Sequence, residues 1–93
     1  MPEKMTEDAL ATLLGNGWTK TEGREAITKT YKFKSFRKAF AWMAEMAIWA
    51  EKLNHHPEWF NVYSTVTVTL TTHDTGGLSD LDEKLASKMD AAI

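Results

Sequence analysis

The sequence predicts an α+β domain in which hairpin-connected strands form an antiparallel sheet covered by helices on one face. Three observations predict it. Residues 65–70 alternate threonine with valine or leucine, the period-two pattern of a strand with one buried and one polar face. Residues 36–53 carry apolar side chains at helical spacing and contain neither glycine nor proline. Breaks at residues 15–17, 22–23 and 75–77 divide the remainder into short segments. The resulting order is helix, two strands, helix, two strands, helix.

The first helix is expected over Thr6 to Leu14, with Leu10, Leu13 and Leu14 as its apolar stripe and Glu7 and Asp8 in its first turn. Gly15, Asn16 and Gly17 end it. Trp18 to Thr21 and Ala26 to Phe33 read as a hairpin turning at Glu22 and Gly23, with Ile27, Lys29, Tyr31 and Phe33 alternating against Thr28, Thr30 and Lys32. Ser35 suits the N-cap of the long helix Phe36 to Leu53.

That helix shows two apolar stripes. Phe36, Phe40, Met43, Ala47 and Ala50 form the first; Ala39, Trp42, Met46, Trp49 and Leu53 form the second, about a quarter turn away. One sheet face covers one stripe. The second, with its two tryptophans, is expected to stand open to water and to pair with its own copy across a two-fold axis. Val62 to His73 reads as the next strand, His73 continuing the threonine side. Ser79 and Asp82 have capping-box spacing for a last helix through Leu81, Leu85 and Met89.

The 93 residues make one domain, residues 1–93, with no internal repeat or linker. A chain of this size buries only roughly 60–65% of its unfolded surface, so assembly would help it. A net charge of −2 with no basic block argues against a direct nucleic-acid partner. The absence of cysteine excludes disulfides and thiol catalysis. No apolar run approaches a membrane span and the start, MPEKMTEDAL, has no signal-peptide core, so a cytoplasmic protein without membrane contact is expected.

The histidines are the unusual feature. His55 and His56 stand together in EKLNHHPEWF, where the helical pattern meets Pro57, and His73 is the only other one. Single histidines in small domains are mostly structural or exposed. Three at two element ends point further. A metal site is disfavoured, because adjacent imidazoles seldom aim at one ion and the spacing matches no HExxH or paired-ligand pattern. No serine lies in a nucleophile elbow and no glycine-rich phosphate loop is present, which leaves no nucleotide cofactor. Acid–base chemistry fits, since imidazole ionises near pH 6.5 and can serve as donor or acceptor. An elimination or dehydration needs both.

The block EKLNHHPEWFNVYSTVTVTLTTHDTGGLSDLD resembles the pterin-4a-carbinolamine dehydratases, a family also known as dimerisation cofactors of a homeodomain transcription factor. Glu51, His55, His56, Pro57, Tyr63, His73 and Asp82 occupy its pattern, and the similarity continues upstream through Gly17-Trp18, EGREAI at 22–27 and KFKSFRKAF at 32–40. The resemblance implies a four-stranded antiparallel sheet with three helices on one face, assembled as a homodimer or homotetramer. It implies loss of water from 4a-hydroxytetrahydropterin to give quinonoid dihydropterin, without metal or other cofactor, downstream of a pterin-dependent aromatic amino-acid hydroxylase. His55, His56 and His73 would form the catalytic set, with His56 and His73 as the acid–base pair and His55 supporting the 4a-hydroxyl. Asn54, Thr71, Thr72 and Asp74 would contact the pterin, Trp59 would wall it or belong to the core, Glu51 would orient His55, and Asp82 would orient an imidazole while capping the last helix. The alternative reading is an adaptor that stabilises a transcription-factor dimer through the apolar helix surface.

Overall fold

The computed structural model describes residues 2–73 and 76–93. Its elements are α1 (Glu7–Gly15), β1 (Thr19–Lys20), β2 (Ile27–Lys32), α2 (Phe36–Leu53), β3 (Glu58–Val62), β4 (Thr65–Leu70) and α3 (Asp80–Ala91). The strands form one antiparallel sheet in the order β1-β2-β4-β3. The α-β-β-α-β-β-α order read from the sequence is the observed one.

Register explains why one face is dry. Tyr31 of β2 pairs with Val66, which pairs with Asn61 of β3; Lys29, Val68 and Trp59 form the next row, and Ile27 faces Leu70. Ile27, Tyr31, Val66, Val68 and Leu70 are buried in one cluster with Leu13 of α1, Trp42 and Met46 of α2, and Leu85 and Met89 of α3. All three helices therefore cover the same face. The other face carries Thr28, Thr30, Thr67 and Thr69, with Thr30 and Thr67 joined hydroxyl to hydroxyl at 3.2 Å.

Two expectations need correction. The Trp42 stripe of α2 is the inward one: Met46 is fully buried and Trp42 nearly so, its indole N–H donating to the Met89 carbonyl at 3.3 Å. The stripe left open holds Phe36 and Phe40, with Phe40 58% exposed, continued by Ile48. The large flat side chains fill the space between sheet and α3, where Trp42 stacks near Tyr31 and Phe33. Second, Val62 to His73 is not one strand. Val62 ends β3, Tyr63 turns the chain with a left-handed φ of 52°, and the Asn61 amide clamps that turn by donating to the Tyr63 and Thr65 carbonyls. β4 stops at Leu70.

Past β4 the alternation persists. Thr72 is buried, His73 exposed. Thr72 is held by a two-way backbone bridge to Gly77, whose missing Cβ matters because one there would lie 3.0 Å from Glu25 Cβ. The C-terminal helix is tied down by Asp90, which accepts from Trp18 Nε1 at 3.0 Å, Lys29 Nζ at 2.7 Å and Tyr31 Oη at 2.6 Å. Burial, followed by that carboxylate, pushes the Tyr31 phenol far above its usual range.

Candidate active site

The site begins where α2 stops. Asn54 takes the left-handed conformation (φ 50°, ψ 46°) and its N–H closes onto the carbonyls of Ala50 and Glu51. The His55 N–H then bonds the Ala50 carbonyl at 3.0 Å, and Pro57 prevents the helix from continuing. This reversal sends the adjacent histidines to opposite environments. His55 is buried and His56 is exposed.

Each meets a carboxylate. His55 Nε2 lies 2.5 Å from Asp82 Oδ1, and His56 Nε2 lies 2.6 Å from Glu51 Oε1. Glu51 therefore pairs with His56, not with His55 as its one-turn spacing suggested. The i,i+4 argument assumes that the helix runs through His55, and the left-handed turn at Asn54 ends it sooner. Asp82 stands between the last helix and an imidazole. It is fully buried, completes the capping box with Ser79 at the start of α3, and holds the His55 ring.

A cleft of about 350 Å³ gathers these groups. Asn54, His55, His56, Thr71, Thr72 and His73 line it, bringing together the three histidines and three of the four polar residues expected to flank them. Asp74 lies outside the described residues. The hydroxyl protons of the two threonines are engaged by the protein: Thr71 donates to the Glu25 carbonyl at 2.8 Å and Thr72 to Asp82 Oδ2 at 2.6 Å. Trp59 is not in the wall. Strand parity turns it inward against the core, its ring 6.5 Å from that of Trp42.

Glu58 and Thr69 also line the cleft and were missed. They are register partners on the outer face of β3 and β4, so strand parity beginning at Pro57 is the signal that could have found them. Glu58 receives both Arg24 guanidinium nitrogens, at 2.9 and 2.8 Å. These hydrogen bonds, then the guanidinium charge and a smaller pull from His73, hold the Glu58 carboxyl below the usual range. Among the described residues no group of three or more His, Cys, Asp or Glu could hold a metal ion.

A family profile, pterin 4 alpha carbinolamine dehydratase, matches residues 2–92. The chain belongs to this family. A Roseobacter denitrificans relative, provisionally named a pterin-4-alpha-carbinolamine dehydratase, is 58% identical, covering 98% of this chain and 97% of its own. One from Dinoroseobacter shibae, with the same provisional name, is 59% identical over 97% of this chain and 93% of its own. Among solved structures, a transcriptional coactivator/pterin dehydratase from Brucella melitensis superposes with a TM-score of 0.86 at 52% identity, covering 96% of this chain and 97% of its own. A pterin dehydratase-like RuBisCO assembly factor of the alpha-carboxysome shares the fold alone, with a TM-score of 0.69 at 21% identity, covering 81% of this chain and 87% of its own. The dehydratase family thus accounts for nearly every residue of this chain. No helix of the described residues is long and apolar enough to cross a membrane.

Proposed function

We propose that the cleft dehydrates 4a-hydroxytetrahydropterin to quinonoid dihydropterin, returning the product of a pterin-dependent hydroxylase to the tetrahydrobiopterin cycle in the cytoplasm. The observation that carries this reading is the convergence of His55, His56 and His73 on one cleft, two of them bonded to carboxylates at 2.5 and 2.6 Å. Family membership supplies the substrate class.

The chemistry asks for two proton transfers. The C4a hydroxyl leaves as water once it gains a proton, the N5 lone pair forms the N5=C4a bond as the C4a–O bond breaks, and the N5 proton then departs to a base. No redox partner is needed, because the electron pair stays within the ring. His56 and His73 are the mobile pair: both are exposed at the cleft and can exchange protons with solvent between turnovers. Glu51 orients His56. His55, anchored in the interior through Asp82, is the fixed group that holds the 4a-hydroxyl. Asn54, Thr71 and Asp74 supply the remaining polar contacts to the pterin.

The outward stripe of α2 supports a second property. Phe36 and Phe40, with rings 6.0 Å apart, and Ile48 form an exposed apolar strip that suits self-association as a dimer or tetramer. Docking of a transcription-factor dimer is the adaptor alternative for the same strip, and the coactivator description of the Brucella melitensis protein favours keeping it. Stopped-flow dehydration of 4a-hydroxytetrahydropterin by wild type and the three single histidine variants tests the enzyme reading. His56→Ala and His73→Ala should each lose about 10²-fold or more in kcat. Near-wild-type turnover in both would sink it and leave the adaptor.

A further inference from the structure

Asp82 is a carboxylate without exposure, and burying such a group is costly unless its acceptor sites are filled. A capping box alone does not require that burial, since its carboxylate needs only to reach the cap N–H. Here the Ser79 N–H reaches Asp82 Oδ2 at 2.9 Å and the Thr72 hydroxyl reaches the same oxygen at 2.6 Å, while Oδ1 faces His55. Thr72 Oγ1 and Ser79 Oγ are 2.7 Å apart. With the Thr72 proton on Asp82, the Ser79 hydroxyl is the donor in that pair, and Ser79 Oγ in turn accepts the Leu81 N–H at 3.2 Å. Every bond in the chain then has one direction: Leu81 N–H to Ser79, Ser79 O–H to Thr72, Thr72 O–H to Asp82, and Asp82 accepting from His55.

We infer that Thr72 and Ser79 are positioning residues that act through Asp82, fixing His55 as the Nε2–H tautomer and leaving Nδ1 as the ring nitrogen that meets a ligand. Oδ2 receives two donors and is thereby held in place, so Oδ1 has one orientation toward the imidazole. An ionised carboxylate only accepts, so His55 donates from Nε2. The N-terminus of α3 and the setting of His55 are one hydrogen-bonded unit. The Thr72 side chain, in a residue the resemblance places against the pterin, acts one bond behind the substrate. Its catalytic consequence rests on the dehydratase reading; its hydrogen-bond consequence does not.

The test separates the two. In ¹⁵N-histidine-labelled wild type without substrate, His55 in its neutral form should carry its proton on Nε2, with that proton slow to exchange. Thr72→Ser should keep both the signal and kcat. Thr72→Val, isosteric but without the hydroxyl, should speed exchange of the Nε2 proton and lower kcat about tenfold or more, with KM within about twofold. Leu13→Ala, in the core away from the cleft, should lower stability without moving the His55 signal. Should Thr72→Val not fold, Ser79→Ala reads the same signal one bond further away. A wild-type His55 protonated on Nδ1, or a hydroxyl-free variant with unchanged Nε2 exchange, overturns the inference. Absence of dehydratase activity in a wild type that shows the slow Nε2 proton overturns only the enzyme reading.

Discussion

Replacing Asp82 by asparagine keeps shape and volume but puts two donors where an acceptor stood. Three donors converge on the carboxylate: His55 Nε2 at 2.5 Å, the Thr72 hydroxyl at 2.6 Å and the Ser79 N–H at 2.9 Å. An amide has one oxygen. Turned toward Thr72 and Ser79, it preserves the capping box but points its NH₂ at His55, which must then accept at Nε2 and carry its proton on Nδ1. Turned toward His55, it sets the NH₂ against two buried donors. The first arrangement costs less, so Asp82→Asn should fold with the wrong His55 tautomer. Loss of one charge-assisted hydrogen bond amounts to about 1.5–3 kcal/mol. For a domain of this size that lowers Tm on the order of 10 °C. With the wrong nitrogen presented to the substrate, kcat should fall about 10²–10⁴-fold. Stopped-flow dehydration, thermal unfolding by circular dichroism and the double variant with His55→Ala measure all three quantities. Because the two residues act as a unit, the double variant should be little worse in kcat than the poorer single one. A folded Asp82→Asn protein with kcat within about threefold of wild type would refute the claim that Asp82 governs His55.

The inward placement of Met46 turns an assembly test into a folding test: Met46→Glu should unfold the domain, at about 4 kcal/mol or more, whereas Phe40→Glu should lower the sedimentation coefficient and leave the far-ultraviolet spectrum intact. Tyr31 has its folded pKa raised, so its contribution to stability is present below the ordinary tyrosine value of about 10 and is lost as pH rises beyond it; alkaline unfolding should steepen there, and Tyr31→Phe should flatten the slope. Glu58 has its pKa depressed, so the Arg24 pairing contributes above the ordinary carboxylate range and fades as pH falls through it; Arg24→Ala should narrow the stability difference between neutral and acid pH, read by urea unfolding at each. Exhaustive chelation should change neither activity nor melting temperature, as zinc analysis and scanning calorimetry would show.

What could be read from the sequence was local. The alternation through Thr65 to Leu70 identified β4 and its polar face, and the Ser79–Asp82 spacing identified the start of α3. The gathering of the three histidines was legible from their places at two element ends, and one cleft holds all three. The inward stripe of α2 was not legible. Both stripes are apolar, and the choice between them depends on what faces the helix: a space ringed by Tyr31, Phe33 and Trp59 that takes Trp42 and offers the Met89 carbonyl to its indole. No periodicity encodes that acceptor. The Glu51 partner was misassigned for a related reason. A one-turn spacing predicts contact only inside a helix, and the helix ends at Leu53, with Asn54 reversing the chain. Arg24, 34 residues from Glu58, had no local signal at all.

Asp82 sits where the legible and the illegible meet. Its helix position marked it as a cap, and a cap is commonly exposed and replaceable at a cost of about 1 kcal/mol. Its burial follows from long-range placement: β4 delivers Thr72 with the parity of its core residues, the bridge to Gly77 fixes that backbone, and the end of α2 turns His55 inward. The end of α2 is the distant one of these, with His55 27 residues from Asp82. A carboxylate that only capped would gain nothing from being dry, and one that only held an imidazole would not need the Ser79 N–H. Bonded to both, Asp82 ties the first turn of α3 to His55 in the cleft wall. Changes that loosen that turn should therefore lower activity before they lower secondary-structure content.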